Sequence, residues 1–224
     1  ARIQANKPDA GFVRIQHQVA HFLSSALASK VSPTLLLAFS GGIDSCVLLH
    51  ALVQAKKTLN FNLQAMHVHH GLSPNADHWA DFCARTCDAY QVPLEIVKVK
   101  VERGAGLGVE AAAREARYQA LFEAHADYVV LAHHQDDQAE TLLLQLLRGA
   151  GLKGLSAMAA QDDDRHLLRP LLDIARQEIE AYAKAAQLNW IEDESNLDTQ
   201  YDRNYCRHEV MPVIKARFPA AGAT

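Results

Sequence analysis

The chain has 224 residues, 49% of them hydrophobic and 21% charged, with a formal net charge of −4. That length suits one large domain, and the acidity argues against a protein built mainly to coat nucleic acid, because such binding rests on neutralising phosphates. No apolar run reaches the ~18 residues a membrane span needs, and the opening ARIQANKPDAGF lacks the apolar core and small-residue cleavage site of a secretory signal.

Phe12, Ile15, Val19, Phe22, Leu23 and Leu27 recur at helical spacing and predict a helix over 12–30, broken by Pro33. A buried strand is expected at 34–39, a helix at 45–56 and a second strand at 63–70. Next come a helix at 76–91, an alternating strand at 93–101 and a flexible loop at 103–108. The Ala-, Glu- and Arg-rich segment 109–126 predicts a strong helix. Another buried strand is expected at 127–133, a helix at 137–148 and a loop over 149–166. Residues 167–174 read as a short strand or turn, 175–187 as a helix and 203–217 as another. Strands alternating with helices predict an α/β domain: a doubly wound, mostly parallel sheet with helices on both faces. Ligands of such sheets sit at the carboxyl ends of strands, near the switch in strand order.

Cys46, Cys83, Cys87 and Cys206 include no C-x-x-C pair, and Cys83 and Cys87 share a helix face, which fits core packing and a reducing cytoplasm. Three polar segments fall at expected strand ends. In SGGIDS, Gly41 and Gly42 would let backbone amides approach a phosphate at a helix N-terminus, and Ser40 and Ser45 add hydroxyls. The loop lacks the lysine of a Walker A motif; Asp44 stands there instead and suggests Mg²⁺ between acid and phosphate. The plainer alternative is a strand-to-helix turn capped by Asp44. HVHHGLS places His67 and His69 on one strand face and His70 on the other. HHQDDQAET packs His133, His134, Asp136, Asp137 and Glu140 into eight residues; capping accounts for one acid and the Glu, but not for the rest.

Gly149–Gly154 matches G-x-G-x-x-G but comes after a helix rather than a strand, so Gly149 is expected to end that helix. In EAAAREARY, Glu110, Arg114 and Tyr118 are spaced four apart, as on a solvated helix face. Residues 201–217 carry a net +2, with Arg203, Arg207, Lys215 and Arg217 among them and Asn204 alongside.

Together these segments, with RPLL (169–172) and WIEDESNLDTQYDRNYCRHEVMP (190–212), resemble the tRNA(Ile)-lysidine synthetases, members of the N-type ATP pyrophosphatases with an adenine nucleotide alpha hydrolase-like fold. The resemblance implies a catalytic domain over 13–217 between terminal tails at 1–12 and 218–224, the latter the start of a linker to further C-terminal domains. It implies ATP and Mg²⁺ as cofactors, free L-lysine and the CAU-anticodon tRNA(Ile) as partners, no membrane, and a homodimer as an open alternative. The chemistry implied is adenylation of the wobble cytidine, then displacement of AMP by the lysine side-chain amine. On this resemblance Ser40, Gly41, Gly42, Asp44 and Ser45 hold phosphates, and Met66, His67 and Arg114 complete the ATP site. Asp44, His133, Asp136, Asp137 and Glu140 are the catalytic set, with Asp44 and Asp137 on the metal. Arg203, Asn204 and Arg207 meet the substrate. A tRNA thiolation enzyme and a non-catalytic ATP-binding module are the alternatives.

Overall fold

The computed structural model describes residues 10–101, 108–151, 157–218 and 221; most of the expected loop at 103–108 lies outside them. Six strands, β1 (Thr34–Ala38), β2 (Asn62–His69), β3 (Leu94–Lys98), β4 (Tyr128–Val130), β5 (Gln161–Asp162) and β6 (Leu167–Leu168), form one sheet in the order β3-β2-β1-β4-β6-β5. Every neighbouring pair is parallel except β5–β6, an antiparallel edge hairpin. The expected loop at 149–166 therefore contains a strand. Two residues are too few to leave a period in the sequence, and the pair forms only because β4 offers β6 an open edge.

Alternation along the strands sorts the core. Leu35 and Leu37 of β1, with Tyr128 and Val130 of β4, pack with α1 (Ala10–Ala26), α2 (Ile43–Ala55), α3 (Ala76–Ala89) and α6 (Arg176–Ala185). Leu36 and Val129 point the other way, onto Leu121 and Ala120 of α4 (Val109–Glu123). The sheet is thus covered on both faces, as a parallel sheet must be. The chain winds outward from β1 to β3 and then crosses back to β4, so strand order switches between β1 and β4.

α5 (Gln135–Leu147) starts two residues earlier than its apolar spacing suggests, and Asp136 and Asp137 lie in its first turn, where the helix dipole favours them. It ends as expected at Gly149, whose φ of +75° closes a C-terminal turn in which Ala150 N–H reaches Gln145 O and Gly149 N–H reaches Leu146 O. Beyond a 3₁₀ turn (Glu194–Leu197), the expected helix at 203–217 is divided into α7 (Asp202–Tyr205), a π turn (Cys206–Val210) and α8 (Met211–Arg217). Pro212 explains the division: it has no N–H to give, and its ring crowds the carbonyl four residues back.

Candidate active site

The turn after β1 is braced from behind. Gly41 has φ +83°, and a Cβ there would lie 2.7 Å from Ile191 and 3.0 Å from Cys83, so only glycine fits. Ile191 N–H donates to Gly41 O at 2.9 Å. Ser45 stitches the turn from within: its hydroxyl accepts from Gly41 N–H at 3.1 Å and donates to Gly42 O at 2.9 Å. Ser45 thus builds the turn, while Ser40 is exposed. Gly42, not Asp44, is the N-cap of α2, which places Asp44 inside the first helical turn. His67 is also a brace: its Nδ1 is 3.0 Å from Phe39 O, and Cys83 Sγ is 3.4 Å away. The Met66 carbonyl accepts from Phe39 N–H at 2.8 Å, and its side chain joins the α4-side core.

Across the switch point, α5 presents its acids. Asp137 accepts from the N–H of His134, the residue that caps α5, at 2.9 Å. The buried His134 imidazole links the two turns, with Nε2 3.5 Å from Asp137 Oδ2 and 3.8 Å from Asp44 Oδ1. Arg203 donates to Glu140 at 3.0 Å and Asp137 at 2.9 Å; Arg207 donates to Glu140 at 2.7 and 2.9 Å and to Asp137 at 3.3 Å. Glu140 is 98% buried, so these contacts keep an interior carboxylate satisfied. Burial alone would raise the Asp137 carboxyl, but His134, Arg203 and His133 override it and hold it below its ordinary value. Asp44 goes the other way: burial raises it, against His134 and Arg176.

Not every expected residue joins this group. Asp136 pairs with Lys215 of α8 at 2.6 Å. Asn204 donates to Ser195 O at 2.8 Å and Asp198 O at 3.0 Å, which commits it to the preceding loop. Arg114 is exposed and lies over the Tyr118 ring at 5.0 Å, with Arg117 at 5.6 Å from the same ring. His133 is pulled down to about 3, by burial first and by Arg203, Arg114 and Arg169 against Asp137, so its ring is neutral at neutral pH.

One participant was not foreseen: Arg176, whose Nη1 donates to Asp44 Oδ1 at 2.7 Å and Oδ2 at 2.9 Å. A signal existed, since a cation in a helix's first turn opposes the dipole and asks for a reason. Asp44 and Asp137, each within 4 Å of His134 Nε2, offer hard carboxylate oxygens, whose chemistry suits Mg²⁺ rather than a sulfur-loving metal; among the described residues no cluster of three or more such ligands forms, so phosphate and water would complete the shell.

A family model described as a PP-loop domain matches residues 13–214. A tRNA(Ile)-lysidine synthase of Azoarcus sp. (strain BH72) is 51% identical over 203 residues, covering 88% of this chain and 45% of that protein. Another from Chromobacterium violaceum is 52% identical over 185 residues, covering 81% and 42%. The chain thus spans under half the length of these curated relatives. Among solved structures, the U34-tRNA thiolase NcsA from Methanococcus maripaludis matches with a TM-score of 0.75 at 18% identity, over 94% of this chain and 76% of that one. At that identity the likeness speaks for the fold alone.

Proposed function

The chain belongs to the PP-loop domain family, and on that premise we propose that it is a carbon–nitrogen ligase that joins lysine to the wobble cytidine of the CAU-anticodon tRNA(Ile) at the expense of ATP. The names and identities of the relatives support this reading. The observation that carries it is the meeting of two turns at His134, whose Nε2 lies within 4 Å of both Asp44 and Asp137. A phosphate-binding turn and a set of acids distant in sequence are thereby brought to one cleft.

The first step bonds the cytidine carbonyl oxygen to the α-phosphorus of ATP and expels pyrophosphate. In the second, the lysine amine attacks the ring carbon, AMP leaves with the oxygen, and the amine gives up a proton. Residues 40–45 seat the polyphosphate against backbone amides of the turn. Asp44 and Asp137 would hold Mg²⁺, which when bound neutralises phosphate oxygens and eases pyrophosphate departure. Asp137 and Glu140 attract the incoming ammonium, whose proton passes to solvent as the amine attacks. Arg203 and Arg207, freed in part when the acids turn to the amine, meet phosphate or the cytidine. Holding amine and activated carbon together supplies much of the rate. Asp136 and Asn204 act through their neighbours, and a cytoplasmic setting completes the reading.

The thiolation alternative needs reactive sulfur. Instead the cysteines are buried, and desolvation pushes the Cys46 and Cys87 thiols up to about 12.

Incubation of the chain with ATP, radiolabelled lysine and CAU-bearing tRNA(Ile) tests the proposal. Pyrophosphate release should require tRNA and continue beyond a single turnover only with lysine present, with label retained in the RNA. Asp137→Ala should retain ATP binding and lose release by at least ~100-fold. Unlabelled tRNA, or release indifferent to Asp137, would defeat it.

A further inference from the structure

Arg176 opens α6 as its first helical residue, after the N-cap Ala175. Its Nη1 spans both oxygens of Asp44, and its Nε donates to Glu180 Oε1 one turn on at 3.0 Å. The guanidinium is thus pinned from two sides, and one of them is the acid that the ATP chemistry needs for a metal ion.

Asp44 therefore has two claimants, and each weakens the other's hold on it. Both its oxygens already accept from one cationic nitrogen, and a divalent cation brought to either would stand within a few ångströms of the guanidinium. Like charges at that range repel strongly in a partly buried site. A cation arriving at Asp44 must move Arg176. The displaced side chain cannot go far, because its Cα is fixed at the start of α6 and Glu180 retains Nε. It stays at the mouth of the turn, where an Arg fork suits phosphate oxygens.

We propose that Arg176 is a positioning residue of the phosphate site, serving as the resident counter-ion of Asp44 and passing to the polyphosphate when a divalent cation takes that carboxylate. This rests on the ATP reading of the site and adds to it a residue and an order of events. Ion pairing keeps a half-buried carboxylate satisfied until nucleotide and metal arrive together, and the same guanidinium then offsets the phosphate charge.

Two titrations of the 224-residue chain test it: Mn²⁺ alone, followed by its electron paramagnetic resonance signal, and ATP in the presence of a chelator, followed by calorimetry. In Arg176→Gln the affinity for Mn²⁺ should rise about tenfold and that for metal-free ATP fall about tenfold, the size expected of one charge-assisted contact. A merely structural residue would not move the two in opposite directions. Arg176→Lys, which retains the charge and guards against a misfolded Gln variant, should lie between the wild type and Arg176→Gln in both titrations. Shifts of the same sign, or both affinities at the wild-type value in both variants, overturn the assignment while leaving the ATP reading intact. A wild-type chain that binds no ATP would overturn both.

Discussion

Gly41 and Gly42 stand side by side in the β1–α2 turn and are glycine for different reasons. At Gly41 the backbone demands it: φ is +83°, and a methyl group would strike Ile191 and Cys83. Left-handed backbone costs an ordinary residue ~1–2 kcal/mol, and overpacking adds ~1–3 kcal/mol. Gly41→Ala should therefore lower stability by ~2–5 kcal/mol, seen as an earlier urea midpoint. Gly42 has φ −71° and ψ 162°, open to any residue, and its added Cβ would meet only Ser40 Oγ at an ordinary 3.5 Å. A stiffer unfolded chain favours alanine there by ~0.4–1 kcal/mol, and loss of the glycine N-cap opposes it by a similar ~0.5–1 kcal/mol. Stability should hold within ~1 kcal/mol, yet ATP affinity should fall about tenfold or more, because the methyl group stands where phosphate would approach. Calorimetric titration checks this; wild-type affinity in Gly42→Ala would mean the polyphosphate lies elsewhere. The motif letters were legible in the sequence because residue type and local spacing carry them. Arg176, 132 residues from Asp44, was not, because only the fold makes them neighbours.

The helical and strand segments were legible where local composition carried them, as in the Ala-, Glu- and Arg-rich α4, or in α2 with its unbroken run buried from Ser45 to Leu49. Legibility failed where tertiary context decides. β5 is two residues long inside an expected loop and forms only by pairing with β6. The 203–217 segment was read as one helix although Pro212 stands inside it, and a π turn divides it there. That turn inserts about one extra residue, so α8 is rotated by ~100° relative to its place in an unbroken helix. Arg203 and Arg207 lie before and within it, and Lys215 after it; all three reach acids of α5. Pro212→Ala permits regular bonding and should let the turn relax. The expected result is a thermal midpoint that is level or slightly raised, with lysine-dependent pyrophosphate release reduced about tenfold as Lys215 and Arg207 lose their partners. Unchanged release would show that the offset is tolerated rather than required.

Across the described residues the buried acids, Asp137 and Glu140, lie at the switch point, and several histidines are withdrawn from water. A continuous chain of contacts runs from Glu180 through Arg176, Asp44, His134 and Asp137 to Arg203, Arg207 and Glu140. Beside it, burial lowers four histidines: His50, His67, His70 to about 4 with Arg117 adding to the effect, and His133 to about 3. The sign of the consequence is fixed by linkage. Burial disfavours the charged ring in the folded chain, whereas in the unfolded chain each takes up a proton near its ordinary 6.5. The unfolded state thus binds more protons as pH falls below 6.5, and stability drops with it, down to the folded values. Each such histidine contributes a slope of at most ~1.4 kcal/mol per pH unit. Asp44 opposes the trend, since its raised carboxyl regains a proton in the folded chain first, but its effect belongs near the carboxylate range. Between pH 6.5 and about 4 the histidines should dominate, so urea midpoints at pH 7, 6 and 5 should fall steadily. His70→Gln, which cannot titrate, should flatten that fall without needing the cleft's chemistry. A wild-type midpoint level from pH 7 to 5 would mean these rings are hydrated enough to protonate in place, and the cleft more open than its packing suggests.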